Sequence, residues 1–184
     1  SSQNIKAKAV RIRNLELNLK SNTAGYWWKV NTFKMADPGQ MNATFMYTDT
    51  WGIYQGTVDN LTDGDSSTAL DFRTSGDRTR KGDYIGWDLG KETAIGKIHA
   101  VIGGDRSAGD KWEKYSLQYS NDNQNWTTYK TYQGVASGKD TVEENFYGLK
   151  ARYVRLVNEE ERAVWVIFSE FSVKAYNPDE DFNN

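Results

Sequence analysis

The stretch Lys114-Tyr115-Ser116-Leu117-Gln118-Tyr119-Ser120 places Tyr115, Leu117 and Tyr119 on one side of an extended chain and polar residues on the other. A period of two is what a half-buried strand requires, because successive side chains of a strand point to opposite faces. Asn121-Asp122-Asn123-Gln124-Asn125 follows as a turn cluster, and Trp126-Thr127-Thr128-Tyr129 resumes strand-forming residues. The same reading extends outward. Tyr84-Ile85-Gly86-Trp87-Asp88-Leu89-Gly90 turns Ile85, Trp87 and Leu89 inward and stops at glycine, and Ile95, Ile98, Ala100 and Ile102 form an apolar segment before Gly103-Gly104. Arg152-Tyr153-Val154-Arg155-Leu156-Val157-Asn158 alternates basic with apolar residues, and residues 168–173 close the set. No ten-residue window carries apolar residues at helical spacing. Short strands at this spacing with no helix between them predict an all-β fold, an antiparallel β-sandwich.

Composition agrees and excludes several function classes. The 184 residues hold 23 basic and 25 acidic side chains, a formal charge of −2, so the chain lacks the basic field that nucleic acid requires. With no cysteine there is no disulfide framework, thiolate nucleophile or zinc–sulfur site, and a single histidine excludes any two-imidazole site. His99 lies in an apolar stretch and is expected to pack in the core. The longest strongly apolar run, residues 163–168, is far too short to cross a bilayer. Seven Trp, eleven Tyr and seven Phe beside 16 Gly and 2 Pro favour strands joined by turns, and aromatics of this number can fill a core.

The beginning of the chain echoes its end. Val10-Arg11-Ile12-Arg13-Asn14 and then Trp27-Trp28-Lys29-Val30-Asn31-Thr32-Phe33 resemble Val154-Arg155-Leu156-Val157-Asn158 and then Trp165-Val166-Ile167-Phe168-Ser169. Residues 1–36 therefore read as an extra N-terminal β-hairpin, like the last two strands of a preceding similar module. Residues 37–176 read as the main domain and residues 177–184, with Asp179-Glu180-Asp181, as an acidic C-terminal linker.

Leu61-Thr62-Asp63-Gly64-Asp65-Ser66-Ser67-Thr68 sets two carboxylates either side of a glycine, a loop able to turn oxygens toward one hard cation, though a plain Asp-Gly turn has the same sequence. This run resembles the D-G-D/N-x-x-T segment of discoidin domains, also called coagulation factor 5/8 type C domains. Gly86-Trp87-Asp88-Leu89-Gly90, the run from Tyr115 to Asp122 with Trp126, the run from Arg152 to Leu156, and Ser169-Glu170-Phe171-Ser172-Val173 resemble further family motifs in the family's order. Within that family the chain is most similar to family 32 carbohydrate-binding modules attached to bacterial hexosaminidases and hyaluronidases. The resemblance implies an eight-stranded discoidin-like jelly roll, a structural calcium ion and a shallow sugar site in loops at one end.

Carried onto this sequence, the resemblance assigns calcium to Asn60 through its carbonyl, Asp63, Asp65, Thr68 and Glu170. It places Asp71 where galactose-binding relatives carry a histidine, Asp105 and Asp110 with adjacent Arg106 near an arginine–asparagine pair, and Trp165 as the stacking aromatic. Tyr54 falls near the acidic position of the first loop. Of Trp51 and Tyr54, one is expected to face the ligand and the other to pack. Phe72 and Arg73 either line the site or cap the barrel, and Trp112 is expected to pack. These departures favour a sugar other than galactose, such as terminal N-acetylglucosamine. One aromatic plate and a few hydrogen bonds imply weak binding, on the order of 0.1–1 mM per site, which several linked modules would strengthen by avidity.

The expected function is non-catalytic glycan binding that targets a secreted, extracellular bacterial glycoside hydrolase to terminal sugars. The expected partners are the parent catalytic domain, neighbouring similar modules and membranes only through their glycoconjugates. The alternatives are a protein- or lipid-binding discoidin domain, with Trp51-Gly52-Ile53-Tyr54 as an apolar spike, and a small glycosidase with carboxylates about 5–9 Å apart.

Overall fold

The structure is a computed structural model and describes residues 43–178 apart from residues 75 and 108. The hairpin expected over residues 1–36 and the acidic run 179–181 lie outside the described residues.

Eight strands follow one another: β1 (Thr44–Tyr47), β2 (Gly52–Gln55), β3 (Leu70–Arg73), β4 (Tyr84–Ile102), β5 (Lys114–Ser120), β6 (Thr127–Gln133), β7 (Asp140–Asn158) and β8 (Val166–Ala175). A 3-10 turn, Val58–Leu61, stands between β2 and β3. Every strand pair is antiparallel, in the order β2-β3-β8-β4-β7-β5-β6, with β1 added to β4. The two 19-residue strands, β4 and β7, make this ladder into a sandwich. Residues 84–88 of β4 pair with β1 and the end of β7, whereas residues 95–102 pair with β8 and the start of β7. Register shifts between Asp88 and Thr93 and between Ile95 and Lys97 mark where β4 passes from one layer to the other, the bend a bulge introduces.

The layers meet through aromatic rings. Phe45 of β1 stacks 6.3 Å from Phe72 of β3, Trp87 of β4 lies 6.3 Å from Phe171 of β8, and the Trp87 indole donates to the Phe171 carbonyl at 2.9 Å. The alternation read from the sequence holds: Tyr115 and Leu117, Ile85, Trp87 and Leu89, and Ile98, Ala100 and Ile102 are all buried. Phe72 and Trp112 are fully buried. His99, expected in the core, is displaced from it by the same alternation. It stands outward between Ile98 and Ala100, 31% exposed, with Nδ1 3.5 Å from Glu143.

Two segments depart from the sequence reading. Residues 52–55, read as loop, form β2, an edge strand whose four residues are all exposed. The start of β7, residues 140–149, was not evident as strand, because Glu144 stands between Val142 and Phe146 on the inward face and breaks the apolar alternation. Glu143 and Glu144 bond to Lys97 at 2.6 Å and to Lys130 at 2.6 Å.

Asp88 illustrates how charges brace the outer face. Arg152 donates to both its carboxylate oxygens, at 2.8 and 2.9 Å, and Gly90 N–H adds a third bond at 2.8 Å. The Arg152 hydrogen bonds above all hold this carboxyl below the usual aspartate range. A depressed carboxylate stabilises the fold above its unfolded value, about 3.9, and that contribution disappears as pH falls through the lower folded value. Thermal unfolding followed from pH 6 to pH 2 is therefore expected to show a melting temperature that drops below about pH 4, with a shallower slope for Asp88→Asn.

Candidate functional site

One end of the sandwich gathers side chains from β2, from β3 and from the loops around them. β3 is central: it pairs Asp71 with Ile167 of β8 and with Gln55 of β2, and Phe72 with Val166 and Ile53. The loop after β4 is laid against β8 by Gly103 N–H on the Ile167 carbonyl at 2.7 Å and Ile167 N–H on the Asp110 carbonyl at 2.9 Å. Gly104 permits this approach, since a Cβ there would lie 2.6 Å from Ile167 Cγ2. Beneath the same end Gly56, at φ +85, brings its backbone so close to Ala69 that a Cβ would overlap the Ala69 carbonyl oxygen.

This frame sets Arg106 beside Asp71. Asp71 is buried, 4% exposed, and a buried carboxylate needs a cation. Arg106 ion-pairs with it, donates to the Gln55 side-chain carbonyl and stands 5.2 Å from the Tyr54 ring centroid. Asp105 pairs with Lys139 at 2.9 Å. Between them lies a cleft of about 330 Å³ whose walls include Gln55, Asn60, Thr68, Asp71, Asp105 and Arg106.

An aromatic pair adjoins the cleft. Tyr54 is 58% exposed and meets half-buried Trp165 edge-to-face, centroids 5.1 Å apart. The exposed Arg73 holds its guanidinium 5.8 Å from the Trp165 ring. Tyr54, Asp71, Arg73, Asp105, Arg106 and Trp165 thus come together. Asp110 shares the Arg106 loop and anchors it through its carbonyl. Trp51 is the correction: its ring is 4% exposed, packed 5.3 Å from Phe72 and 6.1 Å from Trp112, so it belongs to the core and not to the rim.

The acidic loop is built next to the cleft. Asp63 Oδ1 accepts from Asp65 N–H at 2.9 Å, and its Oδ2 accepts from the Thr68 hydroxyl at 2.7 Å and the Asn60 amide at 3.3 Å. The Asp65 N–H first, then the Thr68 hydroxyl, hold the Asp63 carboxyl below the usual range. Across from it Glu170 of β8 is buried, 4% exposed, and its Oε1 has no hydrogen-bond partner. Burial first, and then the charge of Asp63, push the Glu170 carboxyl above the usual glutamate range. Asp65 differs from expectation: its carboxylate turns away to the Ser67 N–H at 2.9 Å and the Ser67 hydroxyl at 2.6 Å. Among the described residues no three His, Cys, Asp or Glu side chains converge as a metal site. The donor set for a cation is therefore two facing carboxylates, Asp63 and Glu170, with neighbouring neutral oxygens. An orphaned buried carboxylate oxygen beside a second carboxylate fits a hard cation that takes oxygen ligands.

The family model of the F5/8 type C domain matches residues 40–171. The chain belongs to this family. A search of curated proteins finds no match. Solved structures share the fold at low identity. A family 32 carbohydrate-binding module from a family 31 glycoside hydrolase of Clostridium perfringens is 18% identical with a TM-score of 0.54, covering 76% of this chain and 96% of that one. The family 32 module of NanJ from Clostridium perfringens, in complex with galactose, is 14% identical with a TM-score of 0.55, covering 72% and 93%. Chitosan-binding module 1 of a chitosanase/glucanase from Paenibacillus sp. IK-5 is 22% identical with a TM-score of 0.50, covering 74% and 96%.

In this F5/8 type C domain the acidic loop and the cleft are physically joined. Lys139 Nζ donates to the Ser66 carbonyl at 2.5 Å and to Asp105 at 2.9 Å, clasping the two loops. Lys139, Gln55 and Asp77 are the members of the site that sequence reading missed. Asp77 accepts from Trp165 Nε1 at 2.6 Å across 88 positions of sequence, a separation no local pattern signals. Chemically, the F5/8 type C domain presents an exposed and a half-buried aromatic ring beside charged groups already committed to one another, an arrangement that orients donors and acceptors.

Proposed function

We propose that this F5/8 type C domain is a non-catalytic sugar-binding module whose acidic loop holds a structural calcium ion. The observation that carries the reading is the Tyr54–Trp165 pair standing beside a polar cleft walled by Gln55, Asp71, Asp105 and Arg106. A sugar ring has apolar C–H faces and a hydroxyl rim. An aromatic plate covers the first, and carboxylate and guanidinium groups hydrogen-bond the second. Asp71 and Asp105 are held by Arg106 and Lys139, which aims them as acceptors and supports recognition over hydrolysis. Asp63, Thr68 and Glu170 would hold the calcium ion, with Asn60 and Asp65 contributing through backbone oxygens. Bound there, calcium would neutralise the facing Asp63 and Glu170 and tie the loop to β8.

Modules of this fold from bacteria carry names or ligands pointing to galactose and chitosan, which supports a glycan ligand here. The ligand we favour is a terminal N-acetylglucosamine, because a buried Asp71–Arg106 pair stands where galactose binders carry histidine. The role we favour is to hold a secreted bacterial glycoside hydrolase on host-type glycans.

The test is a glycan array on the purified chain beside Trp165→Ala. Wild type is expected to retain a set of terminal sugars. The variant is expected to lose at least about tenfold in affinity, the scale of one stacked ring, with an unchanged melting temperature. Undiminished binding by the variant would remove Trp165 from the site.

A further inference from the structure

The β3–β4 loop is laced to the residues just before Trp165. Thr74 Oγ1 donates to the Val164 carbonyl at 3.1 Å, and Thr79 and Arg162 exchange two backbone hydrogen bonds, at 2.9 and 3.0 Å. Within this lacing Asp77 takes a left-handed backbone, φ 53, closed by its N–H on the Thr74 carbonyl at 3.1 Å. That conformation is open to Asp, Asn and Gly and costly for other residues. It delivers Asp77 Oδ1 to Trp165 Nε1 at 2.6 Å, a short, charge-assisted bond on the indole's one polar atom. An indole whose N–H is fixed at one edge keeps one of its two flip states and a narrow range of tilt. Tyr54 meets the same ring edge-to-face and Arg73 stands 5.8 Å from its centroid.

We propose that Asp77 is a positioning residue of the sugar site, setting the plane in which Trp165 meets the ligand; this rests on the reading that Trp165 is the sugar-facing ring. A ring that must be ordered on binding costs side-chain entropy that a preset ring does not. Asp77 makes that ordering part of folding.

The experiment compares wild type, Asp77→Asn, Asp77→Gly and Trp165→Ala. Asn and Gly both accept the left-handed backbone, so neither is strained, but only Asn retains a side-chain oxygen. Each protein is titrated with N-acetylglucosamine and with galactose while the indole N–H resonance of Trp165 and its hydrogen exchange are followed by NMR. Asp77→Gly is expected to shift that resonance, speed its exchange and weaken sugar binding about three- to tenfold. Asp77→Asn is expected to restore most of both, with melting temperatures within a few degrees of wild type. Binding by Asp77→Gly equal to wild type, while Trp165→Ala binds poorly, overturns the role of Asp77 and leaves the sugar site standing. An unaltered Trp165 resonance in Asp77→Gly overturns it even without a ligand. Trp165→Ala binding like wild type instead removes the reading on which the proposal rests.

Discussion

Replacing Lys111 with alanine is expected to cost about 3–5 kcal/mol of stability, the penalty for leaving one member of a buried ion pair alone. Lys111 is 1% exposed; its ammonium donates to the Gly138 carbonyl at 2.8 Å and stands 3.5 Å from Asp140 Oδ2. Asp140, itself 4% exposed, accepts Val135 N–H on its other oxygen at 2.6 Å. The pair thus closes the β6–β7 connection over the chain that enters β5. Without Lys111, the Asp140 charge has no ion-pair partner among the described residues and the Gly138 carbonyl loses its Lys111 donor. Urea unfolding of the two proteins measures the difference, with an unchanged slope against denaturant. The double variant Lys111→Met, Asp140→Leu should recover part of the loss, because no charge is then left buried. A loss under about 1 kcal/mol in the single variant would mean that water reaches the pair.

Chelation is the second large effect. At free calcium 100 to 1,000 times its dissociation constant, an ion bound only by the folded state adds about 2.7–4.1 kcal/mol, and a chelator should remove it. The pH dependence carries the signature of Glu170. Its carboxyl is raised in the metal-free fold, so the folded state binds more protons than the unfolded chain between the usual glutamate value and the raised one. Stability of the chelated protein therefore loses this contribution as pH rises through that window. Calcium bound there would replace the proton, so the gap between calcium and chelator melting temperatures should widen with rising pH. Glu170→Gln should narrow the gap at neutral pH by removing one ligand charge. A melting temperature at pH 7 indifferent to chelator would contradict calcium binding by the Asp63–Glu170 loop.

What the sequence disclosed and what it hid follow from burial. Strands with one buried face were legible, since Tyr115 with Leu117 and Ile85 with Trp87 repeat every two residues. β2 was not, because an edge strand exposed along its whole length imposes no period. The start of β7 was obscured by Glu144, a charged residue set between Val142 and Phe146 and held there by Lys130 and Tyr132. In the candidate site the family resemblance grouped Asp71, Arg106 and Trp165, and the fold brings them together through Tyr54, which meets both Arg106 and Trp165. Which of Trp51 and Tyr54 packs stayed open in the sequence, because the burial of Trp51 comes from Trp112 and Phe72, far away in sequence. Whether Asp65 turns its carboxylate or its carbonyl to the loop was not legible, because Ser67, two residues on, captures the carboxylate. Asp77 and Lys139 act through contacts between loops, which only the folded sandwich creates.

The central claim is that the loop end built around Tyr54, Asp71, Arg106 and Trp165 receives a sugar. An NMR titration of the isotope-labelled chain with N-acetylglucosamine, and then with galactose, tests it most directly. The account predicts saturable shifts at millimolar sugar, concentrated in the Trp165 indole N–H and the backbone amides of Tyr54, Gln55, Asp71, Asp105 and Arg106. Shifts gathered instead around Lys97, His99 and Glu143 on the outer face of β4 and β7, or none with either sugar, would contradict it.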